Sequence, residues 1–326
     1  MKNKIKKDNY NKMLKIMIKN IVIICIINLF ISLPSLADIN NDKKLRTSNI
    51  EFSRNKNFMV QVYPEYKLKI YDIKKKLEIK VNTNHSARIS GISFSSDNNL
   101  FATSSEDKTV KLWKITGEEI KAIRVSNEGV YSLAFSNNGK YLATGSFKEI
   151  KLWDIETGEE VAKNFVNSYI SSITFSKDDK YIVVGSNKKL IFFKSPELIK
   201  YDETEEAHDN FITDISINSS NILSTSSSDK TFKIWFWEST NKNKLVYISK
   251  KYYKPINKIE FSPNGKYIGI GTIDNNNVYI INSNTKKIKK VIYNTFNCNG
   301  FTFTENSKKL MLLNSSGKID FFLLDI

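Results

Sequence analysis

The sequence repeats itself every 40 to 44 residues, and this period constrains the fold more than any other feature. One mark of the period is an apolar residue that ends a short β-type run, at Phe52, Phe94, Phe135, Phe175, Ile217, Phe261 and Phe303. A second mark follows each of these residues by 18 to 20 positions, at Tyr71, Trp113, Trp153, Phe193, Trp235, Ile281 and Phe322. Seven evenly spaced copies, numbered here as units one to seven, indicate a repeat architecture rather than separate domains.

Within each unit the apolar residues form short runs rich in Ile, Val, Phe, Tyr and Thr. Turn dipeptides such as Asn138-Gly139 and Asn264-Gly265 separate these runs, a pattern typical of strands and hairpins. After residue 38, no stretch keeps apolar residues at helical spacing for more than about three turns. The sequence therefore predicts an all-β protein. A unit of this size cannot cover both faces of its own sheet, so we expect the units to stack radially into a closed ring.

Three units end their third predicted strand on a tryptophan, within KLWK at 111–114, KLWD at 151–154 and KIWF at 233–236. These motifs resemble those of the WD-repeat β-propeller family, and the resemblance covers residues 46–326. It implies a seven-bladed β-propeller. The chain ends directly after the third strand of unit seven, so we expect a strand from residues 38–46 to pair with the last blade and close the ring.

Units two and five match the family most closely. In that family a His, a Ser or Thr, an Asp and a Trp form a hydrogen-bonded network in each repeat. The resemblance implies two such structural tetrads, formed by His85, Thr103, Asp107 and Trp113 and by His208, Thr225, Asp229 and Trp235. These are the two histidines of the chain. A nucleophilic triad would need an exposed, activated hydroxyl, whereas repetition at fixed positions favours a structural role, so we expect no catalytic residue here.

The first 37 residues have the features of a secretory signal peptide. Seven Lys and one Asp lie in the first 20 residues, and an apolar run from Ile21 to Leu33 follows. This run is shorter than the roughly 20 residues that a membrane span needs. Ser35 and Ala37 form the small pair typical of a cleavage site. We expect cleavage after Ala37 and export to the periplasm, the cell surface or the extracellular space; the alternative is an uncleaved N-terminal anchor.

Cleavage would divide the sequence into a signal peptide, 1–37, and a propeller, 38–326. The net charge would fall from +16 to +10, and Cys298 would be the remaining cysteine, so no intramolecular disulfide is expected. The positive charge comes mostly from scattered Lys, without Arg clusters or interleaved aromatic residues, and we therefore expect no nucleic-acid binding. The sequence contains neither a glycine-rich phosphate loop nor a calcium-type ligand set, and we expect no cofactor or metal.

The resemblance also implies a partner-binding face at one end of the ring. Its members flank the start of each first strand or precede the turn Asp. In this sequence they are Arg46, Arg88, Glu106, Tyr131, Tyr169, Phe211, Asn257 and Ile273. Units one and two would give a cationic sector and units three to five an aromatic one, a composition enriched at protein interfaces. The alternative is that these aromatic residues only pack between blades.

These observations predict an exported, monomeric, non-enzymatic WD-repeat propeller that acts as a protein–protein interaction scaffold. Fold alone does not determine function, so this step is an analogy with the family. The alternative is an exported propeller enzyme of hydrolase or lactonase type that uses acidic residues in the central channel.

Overall fold

The computed structural model describes residues 49–326 apart from 239–240, 274–275, 294, 296–299, 315–316 and 325–326. Contacts divide the chain into residues 1–46 and 47–326, and every described residue falls in the second unit. The predicted signal peptide, the predicted closing strand at 38–46 and Arg46 therefore lie outside the described residues. Within the described part, the helical segment is a 3-10 turn at Pro64–Tyr66, and none of the helices there is long and apolar enough to span a membrane.

The described residues form 25 antiparallel strands in six sheets. The first blade contains β1 (Ile50–Phe52), β2 (Phe58–Tyr63), β3 (Lys67–Asp72) and β4 (Leu77–Val81), and the second contains β5 (Ile89–Phe94), β6 (Leu100–Ser105), β7 (Thr109–Lys114) and β8 (Glu119–Arg124). The third blade contains β9 (Val130–Phe135), β10 (Tyr141–Asp154), β11 (Glu160–Phe175), β12 (Tyr181–Ser186), β13 (Lys189–Lys194) and β14 (Ile199–Thr204).

The fourth blade contains β15 (Ile212–Ile217), β16 (Ile222–Ser227), β17 (Phe232–Glu238) and β18 (Asn241–Ile248). The fifth contains β19 (Ile256–Phe261), β20 (Tyr267–Thr272), β21 (Asn277–Asn282) and β22 (Ile288–Ile292), and the sixth contains β23 (Phe301–Phe303), β24 (Lys309–Leu313) and β25 (Ile319–Leu323).

The prediction of seven blades is wrong, because the described residues form six, and the third blade takes up two repeat units. Its strand β10 runs through what the sequence predicted as the second and third strands of unit three. Strand β11 continues from the last strand of unit three into the first strand of unit four. Unit three lacks a turn residue and has Phe147 near the turn-Asp position. Phe147 pairs with Tyr169, and the register of β10 against β11 shifts directly after it, at Lys148, whose φ is 67°.

The core lies between neighbouring blades, since each strand buries its apolar residues against the next sheet. Phe94, Phe101 and Trp113 of the second blade pack with Val60 and Ile70 of the first. The first blade in turn contacts the sixth, in a cluster of buried residues formed by Ile50, Phe52, Met59, Met311 and Leu313. Packing between blades therefore continues from the last blade back to the first.

A cavity of about 1150 Å³ runs through the middle, lined by residues of β1, β5, β9, β11, β15 and β19. These inner strands begin at one end of the cavity, called here the upper mouth, and end at the other, the lower mouth. Side chains on or just before one inner strand donate hydrogen bonds to main-chain carbonyls of the next. The bonds run from Asn49 to Ile89, Ser90 to Val130, Ser132 to Ile170, Ser171 to Ile212, Thr213 to Ile256 and Lys258 to Phe301.

Candidate functional site

The upper mouth brings together most of the residues predicted for the partner-binding face. Arg88, Tyr131, Tyr169, Phe211 and Asn257 all line the cavity there. Each of them immediately precedes an inner strand or lies near the start of its cavity-lining part, which in β11 begins at Tyr169, so the same position in successive units brings its side chain to one ring. The cavity lining does not include Glu106 or Ile273, which lie in the turns after β6 and β20.

The cationic part of this face is an ion pair. A guanidinium nitrogen of Arg88 lies 3.5 Å from a carboxylate oxygen of Glu106, and their side chains are 61% and 40% exposed. Exposed ion pairs of this kind contribute little to stability, so Arg88 can exchange Glu106 for an acidic group of a partner.

The aromatic part is centred on Tyr131 and Tyr169, whose ring centroids lie 4.5 Å apart at an interplanar angle of 56°. Both rings are half-buried and face the cavity, and burial raises the pKa of Tyr169. Tyr131 also lies close to the main chain at Gly129, where an added Cβ would be 3.2 Å from the Tyr131 ring carbon Cζ. These tyrosines therefore pack between neighbouring inner strands and also present a surface to the mouth.

The mouth carries exposed aromatic residues, some predicted from the sequence and some not. Phe211, which was predicted, is 50% exposed at the mouth. Phe147, which was not, is 45% exposed and pairs across the sheet with Tyr169. The signal for Phe147 was an apolar residue in a turn, where most units have a polar one. Tyr253, 82% exposed in the connection before β19, was also missed.

The structure brings the four residues of each predicted tetrad into one hydrogen-bonded chain. His85 Nδ1 lies 2.7 Å from Asp107 Oδ2, and its Nε2 lies 2.9 Å from Thr103 Oγ1, which accepts a bond from Trp113 Nε1 at 3.0 Å. The corresponding distances in the second set, from His208 to Asp229 and Thr225 and from Trp235 to Thr225, are 2.8, 2.7 and 3.0 Å.

The electrostatics of these tetrads suit a structural network. Burial lowers the pKa of both imidazoles, which favours their neutral form. Burial also acts to raise the pKa of Asp229, but hydrogen bonds from His208 and Thr231 outweigh it and the pKa is lowered. The side chain of His208 is 0% exposed and that of Asp229 only 4%. The Thr225 hydroxyl, which bonds His208 Nε2 and Trp235 Nε1, is buried.

A group of charged residues lies on one wall of the cavity. Glu260 accepts a hydrogen bond from Thr302 Oγ1 at 2.6 Å and lies 3.5 Å from Lys258 Nζ, while Lys56 Nζ donates to the same Thr302 hydroxyl at 2.7 Å. Glu51 faces this group, and burial raises the pKa of its carboxyl. These contacts connect the first, fifth and sixth blades.

Asp214 belongs to the same wall and joins three inner strands. Its carboxylate accepts bonds from the main-chain N–H groups of Ile215 and Ile259, at 2.8 and 3.0 Å, and from Ser172 Oγ at 3.4 Å. Burial raises its pKa to about 6. Across the described ranges, His, Cys, Asp and Glu side chains do not converge in any group of three or more that could hold a metal ion.

The repeated units and the ring of sheets define the class of protein. The family model of the WD domain, G-beta repeat, matches residues 77–114, 117–154, 161–194 and 200–235. Its four matches fall on consecutive units of the ring just described. The chain therefore belongs to the WD-repeat β-propeller family, whose members are typically non-enzymatic scaffolds that bind other proteins.

Among solved structures, the chain is similar to the β-propeller domain of Cps50 (Swd1) from Myceliophteria thermophila. The TM-score is 0.73 at 16% sequence identity, over 86% of this chain and 97% of that domain. At this identity the likeness shows the fold alone. No curated protein sequence matches the chain.

Proposed function

We propose that this propeller is an exported scaffold that binds a partner protein at its upper mouth. The observation that carries the proposal is the group of aromatic residues at that mouth: Tyr131 and Tyr169 in ring contact, the exposed Phe211, and the exposed Phe147 paired across the sheet with Tyr169. Exposed aromatic residues grouped at a concave site are typical of the residues that dominate binding energy at protein interfaces. Arg88 beside them suits an acidic residue, so the preferred partner is a peptide with an apolar end and an acidic end.

The two kinds of residue have different roles in this proposal. The aromatic rings supply most of the affinity because they remove apolar area from water. Arg88 is exposed and already paired with Glu106, so its contribution is mainly to steer and orient the partner. Binding should therefore depend only modestly on salt concentration.

The test is recovery of a partner from the native envelope or secreted fraction. The triple variant Y131A/Y169A/F211A should lose the partner that the wild-type protein recovers, while its circular dichroism spectrum is unchanged. A matched control replaces three exposed aromatic residues away from the mouth, Phe165, Phe236 and Phe321, which are 66%, 42% and 51% exposed. Loss of the partner in the control and not in the first variant would refute the proposed face.

Export is part of the proposal and rests on the basic segment, the apolar run and the small pair before Asp38. Sequencing the N-terminus of the protein from its native source tests this part directly. A start at Asp38 supports cleavage, and a retained Met1 in a soluble protein contradicts it. The same preparation, measured by light scattering, tests the proposed monomeric state.

A second candidate function is catalysis in the cavity, which Asp214 favours. An acid with a pKa of about 6 inside a water-accessible cavity can act as a general acid or base near neutral pH. A screen against ester and lactone substrates, with and without divalent metal, distinguishes this function from scaffolding. Turnover that Asp214→Asn abolishes would favour the enzyme.

A further inference from the structure

The lower mouth of the cavity is formed by one position repeated in successive units. In the turn after each inner strand, a buried Ser or Asn is followed by a residue that faces the opening. These residues are Arg54, Asn137, Lys177, Ser219 and Pro263, and all of them line the cavity. The upper mouth lies at the other ends of the inner strands, so the two mouths are about 18 Å apart at 3.3 Å per residue.

Lys177 is an exposed cation at this mouth, and the nearby carboxylate of Asp179 acts on it electrostatically. Across the described residues its ammonium group makes no hydrogen bond or ion pair, whereas Lys180 in the same turn lies 3.6 Å from Asp178. Burial lowers the pKa of Lys177, and so do the positive charges of Arg54 and Lys56, whereas the negative charge of Asp179 acts to raise it. Like charges are therefore held near one another in a concave site.

Arg54 projects into the same opening. One guanidinium nitrogen donates to Asn137 Oδ1 at 2.9 Å, and a guanidinium has five N–H donors in all, so others are available. The nearest acid, Asp179, is already engaged. Its carboxylate accepts bonds from the main-chain N–H and the side-chain amide of Asn137 and from the N–H of Asn138, each at 2.7 Å.

We propose that the lower mouth binds a phosphate group between Lys177 and Arg54. A phosphate oxygen would give Lys177 a direct hydrogen-bonded ion pair, which it does not make with any described residue, and the planar guanidinium of Arg54 matches the spacing of two phosphate oxygens. The hydroxyl of Ser219, which lines the same opening, supplies a neutral donor. Because this site and the upper mouth are at opposite ends of the inner strands, the propeller can hold the phosphate and a protein partner at the same time.

The experiment titrates the full chain with inorganic pyrophosphate and measures heat by calorimetry and the melting temperature. Wild-type protein should show one saturable site and a melting temperature that rises with pyrophosphate. Lys177→Gln should weaken binding at least tenfold and remove the rise. Since the Lys177 side chain is exposed and makes no hydrogen bond or ion pair with any described residue, the variant should fold as the wild type does. Lys180→Gln, the matched control, makes the same charge change in the same turn and should keep binding within twofold.

Vesicles distinguish the source of the phosphate group. Phosphatidylcholine vesicles with and without phosphatidic acid are tested for sedimentation with the same three proteins. Binding of pyrophosphate alone assigns the site to a free phosphate compound, and binding of phosphatidic acid vesicles that Lys177→Gln removes assigns it to a lipid headgroup. No saturable binding of either probe, or an equal loss in Lys177→Gln and Lys180→Gln, would overturn the proposal.

Discussion

At the residue scale, the two tetrads consist of buried polar side chains. They are stable in the interior because each forms hydrogen bonds with other members of its tetrad. His85 contacts both Asp107 and Thr103, and the Thr103 hydroxyl also receives the indole N–H of Trp113. Their identity could be predicted from the sequence because the spacing repeats in units two and five. The charges in the cavity could not, because Glu51, Asp214 and Lys258 are distant in sequence and only the closed ring brings them together.

The first prediction concerns the coupling within a tetrad. His85→Ala should lower the free energy of unfolding by about 1 to 3 kcal/mol, because Asp107 and Thr103 lose a buried partner. Asp107→Ala should give a similar loss. Urea unfolding of the double variant should show less than the sum of the two losses, since both changes disrupt one network. Additive losses would mean that the two side chains act independently.

The second prediction concerns pH and Asp214. Its pKa of about 6 in the folded protein lies above the unfolded value of 3.8, so between these values the folded state holds a proton that the unfolded state releases. The contribution of this group to stability is therefore full below about pH 4 and is lost as the pH rises through 6. Asp214→Asn should gain stability relative to the wild type over that range.

The shift sets an upper limit of about 3 kcal/mol on this gain, at 1.36 kcal/mol per pKa unit. The measured value should be smaller, because Asp214 is half-buried and faces cavity water. Urea unfolding at pH 4, 5, 6 and 7 measures the difference. Parallel pH profiles for the two proteins would contradict the assignment.

At the scale of elements, the sequence period predicted the positions of the strands well. It failed at the boundary between units three and four, because hydrogen bonding rather than hydrophobicity decides where one sheet ends and the next begins. The apolar pattern of unit three matches that of its neighbours, and its residues form strands as expected. The apolar pattern does not show whether the strand ends at Phe147 and Lys148. In the structure β10 spans both residues, with a register shift between Phe147 and Glu149 instead of a strand end. Two units therefore join in one blade, which hydrophobic periodicity alone could not reveal.

The third prediction tests the packing of β10 against β11. A Cβ added at Gly145 would lie 2.5 Å from Ile170 Cγ2 and 2.6 Å from Ser132 Oγ. Gly145→Ala should therefore lower the free energy of unfolding by about 1 to 3 kcal/mol through overpacking. In a protein that already carries Ile170→Ala, Gly145→Ala should cost less than it does in the wild type, because the colliding methyl group is absent. Equal losses from Gly145→Ala with and without Ile170→Ala would contradict this contact.

At the scale of the whole molecule, charged and polar side chains join the first blade to the fifth and sixth. Lys56 donates to Thr302 at 2.7 Å and lies 3.9 Å from Glu260. This contact and the apolar cluster of Ile50 and Met311 bring residues from the two ends of the described chain together. The sequence predicted that the ends of the ring would meet, but the residues it assigned to that task, 38–46, lie outside the described part.

The fourth prediction tests this junction. Lys56→Met should lower the free energy of unfolding by about 1 to 3 kcal/mol, because Glu260 is left partly buried without one of its two cations. Lys308→Met, an exposed lysine of the sixth blade, is the control and should change stability by less than about 0.5 kcal/mol. Urea unfolding of both variants provides the comparison. An equal, small effect would mean that Lys56 does not contribute to the junction.

One repeated set of hydrogen bonds between inner strands runs in a single direction, from a side chain on one unit to a main-chain carbonyl on the next. Each unit thus has a donating flank and an accepting flank that complement each other head to tail. A duplicated unit inserted in frame would contact an accepting flank on one side and a donating flank on the other, and it would fit both. The number of units can therefore change by whole units while each of these side-chain donors still meets a carbonyl on the next unit. The curvature needed to close the ring then limits the number of units.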